Sequence, residues 1–115
     1  MNYLSFDIGT TGCKCQLFSD KGEILQYLFE EYDFKTIEGC QYVDIHAIEK
    51  HLRRMIDCVS EKHEISSVCI SSLGESFVLL DKEDNVLFYP MLYTDSRGEK
   101  EAEEIKARIG ADKAF

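Results

Sequence analysis

The sequence predicts an α/β fold built on a mixed sheet, and three observations carry that prediction. Short apolar runs of strand length crowd the first third of the chain. One long stripe at helical spacing follows them, and a β-branched run comes directly after the stripe. Read in order, the elements run βββαβββα, with no internal repeat and no low-complexity segment.

Residues 2–7 read as the first strand and residues 13–19 as the second. Ser19-Asp20-Lys21-Gly22 is the turn into a third strand over residues 23–32. Three antiparallel strands thus open the sheet. Residues 33–43 show little periodicity and read as an irregular loop with Gly39 as its pivot. Asp44 is placed to cap a helix over residues 45–62, because Ile45, Ile48, Leu52, Met55, Ile56 and Val59 fall on one face behind it. Residues 65–72, rich in β-branched side chains, form a strand expected to lie parallel to the first. A hairpin over 77–80 and 86–89 turns at residues 81–85 and ends at Pro90, the only proline. Ser96 followed by Glu99 has the spacing of a capping box. Ala102, Ile105 and Ile109 give the last helix a narrow apolar stripe, and Gly110 is its stop. A core helix at that place is expected to lead into further structure, so the sequence reads as part of something larger.

Composition bounds the function. At 115 residues the chain is one domain or a piece of one, and 44% hydrophobic content argues for a packed core. A net charge of −9 argues against nonspecific binding to nucleic acid or to an anionic membrane surface. No apolar segment approaches the roughly 20 residues of a membrane span, and no secretory signal is visible at the start. Five cysteines form an odd set without a CxxC pair, which suits a reduced, cytoplasmic chain. Cys13 and Cys15 share one strand face but lack the partners a zinc site needs. His46, His51 and His63 do not share a ligand face and read as surface histidines.

The most informative stretch is Asp7-Ile8-Gly9-Thr10-Thr11-Gly12-Cys13-Lys14. A carboxylate arrives at the end of a strand, and a glycine-hydroxyl turn leads into the next. Gly9 and Gly12 permit positive φ and close approach of the backbone to a ligand. Successive N–H groups in such a turn form an anion-binding nest. Thr10 and Thr11 add hydroxyls, Lys14 adds a cation, and Asp7 is placed to hold magnesium, often through water. The pattern is neither the Walker loop nor the dinucleotide fingerprint. The same residues also fit a tight hairpin with no ligand.

Two further clusters complete the set. Ser71-Ser72-Leu73-Gly74-Glu75-Ser76 lies between a strand and a hairpin, where a loop can present a carboxylate. Tyr93-Thr94-Asp95-Ser96-Arg97 gathers an aromatic face, a carboxylate and a guanidinium within five residues. Carboxylate and guanidinium groups pair with vicinal hydroxyls, and an aromatic ring packs on the C–H face of a sugar. A capped helix start with an Asp–Arg surface pair accounts for the same residues locally.

The ordered combination resembles the N-terminal part of the FGGY carbohydrate kinases, the family of glycerol kinase and xylulokinase, over nearly the whole chain. That resemblance implies an actin-like ATPase fold, related to ribonuclease H, of which this chain is an N-terminal fragment. It also implies transfer of the ATP γ-phosphate to a hydroxyl of a sugar or polyol, with ATP and Mg2+ as cofactors. The first loop would meet the ATP phosphates through Asp7, Gly9, Thr10, Thr11, Gly12 and Lys14, with Asp7 toward the magnesium. The polyol side would comprise Gly74, Glu75, Tyr93, Asp95 and Arg97.

Two departures bear on substrate. Gly74-Glu75 stands where glycerol kinases carry Arg-Glu and xylulokinases Met-His, and Tyr93 stands for the usual tryptophan. The resemblance does not choose among pentulose, hexulose and polyol. The general base and the second phosphate loop are expected beyond residue 115, so these residues alone are expected to be inactive and to require the remainder of the kinase chain. Two other readings stay open: a nucleotide- or sugar-binding module that never catalyses, and a structural domain in which the Gly-Thr hairpin is a mere turn. A half-built sheet is further expected to self-associate.

Overall fold

A computed structural model describes residues 1–74, 76–92 and 94–113. Strands β1 (Asn2–Ile8), β2 (Gly12–Ser19) and β3 (Ile24–Glu31) form an antiparallel meander. Strand β6 (Ser67–Ser72) joins the other edge of β1 in parallel, giving the order β3-β2-β1-β6. The expected parallel pairing of the strand after the helix is therefore observed, with Leu4 opposite Val68 and Phe6 opposite Ile70.

Register decides what each face carries. Leu4 pairs with Leu17, Phe6 with Cys15 and Ile8 with Cys13, so these six share one face under the period-two rule. Helix α1 (Ile45–Ser60) covers that face over β2 and β3, burying Ile48, Met55 and Val59 against Leu4, Phe6, Cys13, Cys15 and Leu17. Cys13 and Cys15 are core side chains, and burial pushes each thiol up to about 11. Asp44 caps α1 as expected, its Oδ1 accepting from His46 N at 3.0 Å and Ala47 N at 3.2 Å.

The helix does not reach β6. Val68 and Ile70 lie on the core face by register yet remain 49% and 57% exposed. The radius of gyration is 18.2 Å, against about 13 Å for a compact domain of this length.

Three expectations need correction. Residues 33–43 are ordered as a hairpin, β4 (Phe34–Ile37) against β5 (Cys40–Val43), so five strands precede α1 where three were expected. Its two-residue turn places Glu38 at φ 51° and Gly39 at φ 81°, the left-handed pair a tight hairpin demands. Ser96 is not the cap of the last helix. Asp95 accepts from Arg97 N at 3.0 Å and opens a 3-10 turn over Ser96–Gly98, from which α2 (Glu99–Ile109) continues. Nor does α2 enter the core, since none of its residues is buried. Gly110 does end it, at φ 86°.

The remaining hairpin, β7 (Leu79–Leu80) with β8 (Val86–Phe88), is shorter than the sequence suggested. Asp81 organises its turn by accepting from Glu83 N and Asn85 N.

Candidate functional site

The loop between β1 and β2 is a tight reversal: Gly9 N donates to Gly12 O at 3.0 Å. Neither glycine takes a positive φ, contrary to the sequence expectation. Gly12 is required for a different reason. A Cβ there would stand 2.6 Å from the Glu30 carbonyl oxygen and 2.9 Å from the Phe29 ring. The loop thus sits hard against the end of β3, and only a hydrogen fits between them.

Asp7 and Lys14 are cross-strand partners, and Lys14 Nζ donates to Asp7 Oδ2 at 3.2 Å. Both side chains are about half exposed (55% and 53%), so the pair contributes little to stability and is free to be remade around a ligand. Thr10 is half-buried and Thr11 exposed. Among the described residues no acceptor meets the Thr10 or Thr11 N–H. Two backbone donors with no recorded acceptor, two hydroxyls and an adjacent cation make a site suited to an anion.

Among the described residues no three His, Cys, Asp or Glu side chains gather as a metal cage. An exposed carboxylate at a strand end nevertheless fits magnesium, which commonly takes one or two carboxylates and completes its shell with phosphates and water.

On the other side, Asp95 and Arg97 are locked to each other. Arg97 Nε donates to Asp95 Oδ1 at 2.8 Å, Nη2 to Oδ2 at 2.6 Å, and Nη1 to the Tyr42 hydroxyl at 2.6 Å. The guanidinium also lies 4.8 Å from the centre of the Tyr42 ring. The hydrogen bonds Arg97 donates, to Asp95 first and Tyr42 second, hold it more basic than an ordinary arginine, and the same contact holds the Asp95 carboxyl below the usual range. Glu75 and Tyr93, both singled out by the sequence, lie outside the described residues. Gly74 is exposed, with nothing within 4 Å of where its Cβ would be.

An open cleft of about 380 Å³ is lined by Gly39, Cys40 and Gln41 on one wall and Leu92, Thr94 and Asp95 to Arg97 on the other. A smaller hollow of about 180 Å³ is formed by Thr10, Thr11, Phe34, Leu92 and Thr94. Leu92 and Thr94 belong to both. The Gly-Thr loop and the Asp95–Arg97 segment therefore line two neighbouring hollows that share Leu92 and Thr94. Sequence reasoning missed the hairpin wall and Tyr42 because it read their segment as irregular. The Glu38-Gly39 step between two short apolar-polar runs was the available signal.

A mixed sheet with an antiparallel opening, a parallel fourth strand and a Gly-Thr loop at the β1–β2 turn is the N-terminal part of an actin-like, ribonuclease H-like fold. The particular branch follows from comparison with known proteins. The sequence model of the FGGY family of carbohydrate kinases, N-terminal domain, matches residues 2–115, and the chain belongs to that family. It is 33% identical over 82 residues to a rhamnulokinase of Yersinia pestis, covering 70% of this chain and 17% of that protein. It is 27% identical to a gluconokinase of Bacillus licheniformis, covering 97% of this chain and 23% of the relative. The fold matches the xylulose kinase of Lactobacillus acidophilus at a TM-score of 0.86 and 22% identity, over 97% of this chain and 24% of that one. The chain thus spans about a fifth of the length of the curated relatives it matches. Among the described residues no helix is long and apolar enough to cross a membrane.

Proposed function

We propose that this chain forms the N-terminal part of an ATP-dependent carbohydrate kinase, supplying the phosphate-side loop and one wall of the sugar or polyol site. The observation that carries the reading is that the two hollows adjoin. Thr10 and Thr11 line one, Asp95 and Arg97 the other, and both share Leu92 and Thr94. Phosphoryl transfer needs donor and acceptor side by side, and its catalysis is mainly positioning and neutralisation of charge.

In this reading Thr10, Thr11 and Lys14 hold the phosphates of ATP by hydrogen bonds and charge, with Gly9 and Gly12 shaping the loop. Asp7 would hold the magnesium, commonly through water, and Lys14, released from its pair with Asp7, would be available to phosphate. The metal, when bound, draws charge from the phosphate oxygens and so eases attack at the γ-phosphorus. Asp95 and Arg97 orient the sugar hydroxyls, with Gly74, Glu75 and Tyr93 completing that side. The aspartate base that deprotonates the attacking hydroxyl comes from the rest of the kinase chain, and no carboxylate here takes that role. A reduced, cytoplasmic setting suits five free thiols.

Asp7→Asn in the full-length protein tests the reading. It is expected to lower kcat by at least tenfold while leaving sugar KM within about twofold. A raised sugar KM with kcat unchanged would refute the assignment of Asp7.

A further inference from the structure

Tyr32 follows β3, is 8% exposed, and lines neither of the hollows described above. Its hydroxyl donates to the carbonyl of Gly9, and its backbone N–H lies 3.5 Å from the carbonyl of Thr11. Two carbonyls of the phosphate loop, those of Gly9 and Thr11, are thus met by one residue.

The consequence follows from peptide geometry. A trans peptide is planar, with C=O and N–H on opposite sides, and no cis bond is present among the described residues. Holding the Gly9 carbonyl on Tyr32 therefore turns the Thr10 N–H away from Tyr32, toward the open side of the loop. A flipped Gly9–Thr10 peptide would aim a carbonyl oxygen at an arriving phosphate, and a glycine at the pivot makes such a flip inexpensive.

The phenol is well seated for this task. Burial, with the neighbouring Cys13 and Asp7, pushes its ionisation up to about 12, so it remains an O–H donor at any physiological pH. Its ring stands 6.2 Å from that of His51 on α1, whose Nδ1 pairs with Glu30.

We propose that Tyr32 is a positioning residue for nucleotide binding: its hydroxyl fixes the Gly9–Thr10 peptide with the N–H outward, so that the loop is formed before the phosphates arrive. The inference rests on the reading of this loop as the phosphate site.

The test is Tyr32→Phe in the full-length kinase, which keeps the buried ring and deletes one donor. MgATP affinity is expected to fall roughly tenfold, the effect of a lost hydrogen bond to a partly buried acceptor, with sugar affinity unchanged. Unchanged MgATP affinity, or a parallel loss of sugar affinity, would overturn the inference. Lys14→Ala, run alongside, separates the two claims. If it weakens MgATP while Tyr32→Phe does not, only the role of Tyr32 falls; if neither does, the phosphate-loop reading falls as well. Should the phenylalanine variant not fold, the unaltered protein supplies the decision. A Tyr32 hydroxyl proton visible by NMR and protected from exchange supports the inference, and exchange at the rate of a solvent-exposed phenol overturns it.

Discussion

Gly12→Ala adds a single methyl group at the point where β2 leaves the loop, and its cost can be worked from the geometry. The new carbon would lie 2.6 Å from the Glu30 carbonyl oxygen and 2.9 Å from two carbons of the Phe29 ring, where ordinary contact begins at 3.4 Å. The ring can swing aside, because Phe29 is 43% exposed. The carbonyl cannot, because it belongs to the strand paired with β2. A shortfall of about 0.8 Å must then be absorbed by the β2–β3 pairing itself. Overpacking of this kind costs about 1–3 kcal/mol, less roughly 0.5 kcal/mol for replacing a strand glycine. We expect about 1.5 kcal/mol and a fall in Tm of roughly 8 °C. Gly9→Ala is the control, since its nearest new neighbour is at 3.4 Å. Urea unfolding of both variants checks the argument. A Gly12→Ala protein within about 0.5 kcal/mol of wild type would refute the claim that the slot is closed.

Burial would raise the Glu30 carboxyl, but bonds from Arg54 (Nε at 2.9 Å) and His51 outweigh it and hold the carboxyl below its ordinary value. A depressed pKa stabilises the fold above the unfolded value near 4.5 and loses that contribution as pH falls through the folded one. Glu30→Gln should therefore cost about 1 kcal/mol at pH 7, and the gap to wild type should close in acid urea titrations. Asp44→Ala removes the cap of α1 and should cost about 1 kcal/mol by thermal melting, with Asp44→Asn nearly neutral. At pH 8 a thiol reagent should label exposed Cys69 first and reach Cys13 and Cys15 only on unfolding, since burial holds both near 11. Their neutral form favours the fold below the ordinary thiol value of 9.0, and that contribution is lost as pH rises through 11.

What the sequence disclosed depended on how local the cause was. The β1–β2 turn, the α1 stripe and its Asp44 cap each lie within one window, and each element is present, though Gly9 and Gly12 do without a positive φ. The β4–β5 hairpin escaped because its strands are only four residues long, too short for alternation to register. The site's buttresses escaped for a different reason. Tyr32 reaches back 23 positions to Gly9, and Arg97 reaches 55 positions to Tyr42. Nothing near either residue announces its partner. Gly12 was singled out correctly for the wrong reason, since its need is room for a neighbouring strand rather than backbone freedom. His51, taken for a surface histidine, is drawn inward by Glu30.

Helix α2 stands apart from the rest of the molecule. It has 11 residues, none buried, with Ile105 and Ile109 bare along one side. A helix that short is marginal in water, because forming its first turn costs more than the few bonds that follow return. Acidic residues in its first turn and basic ones in its last favour the helical state without guaranteeing it. Its order is therefore borrowed, and proteolysis or amide exchange between residues 99 and 109 should serve as a gauge of whether anything rests on that apolar side.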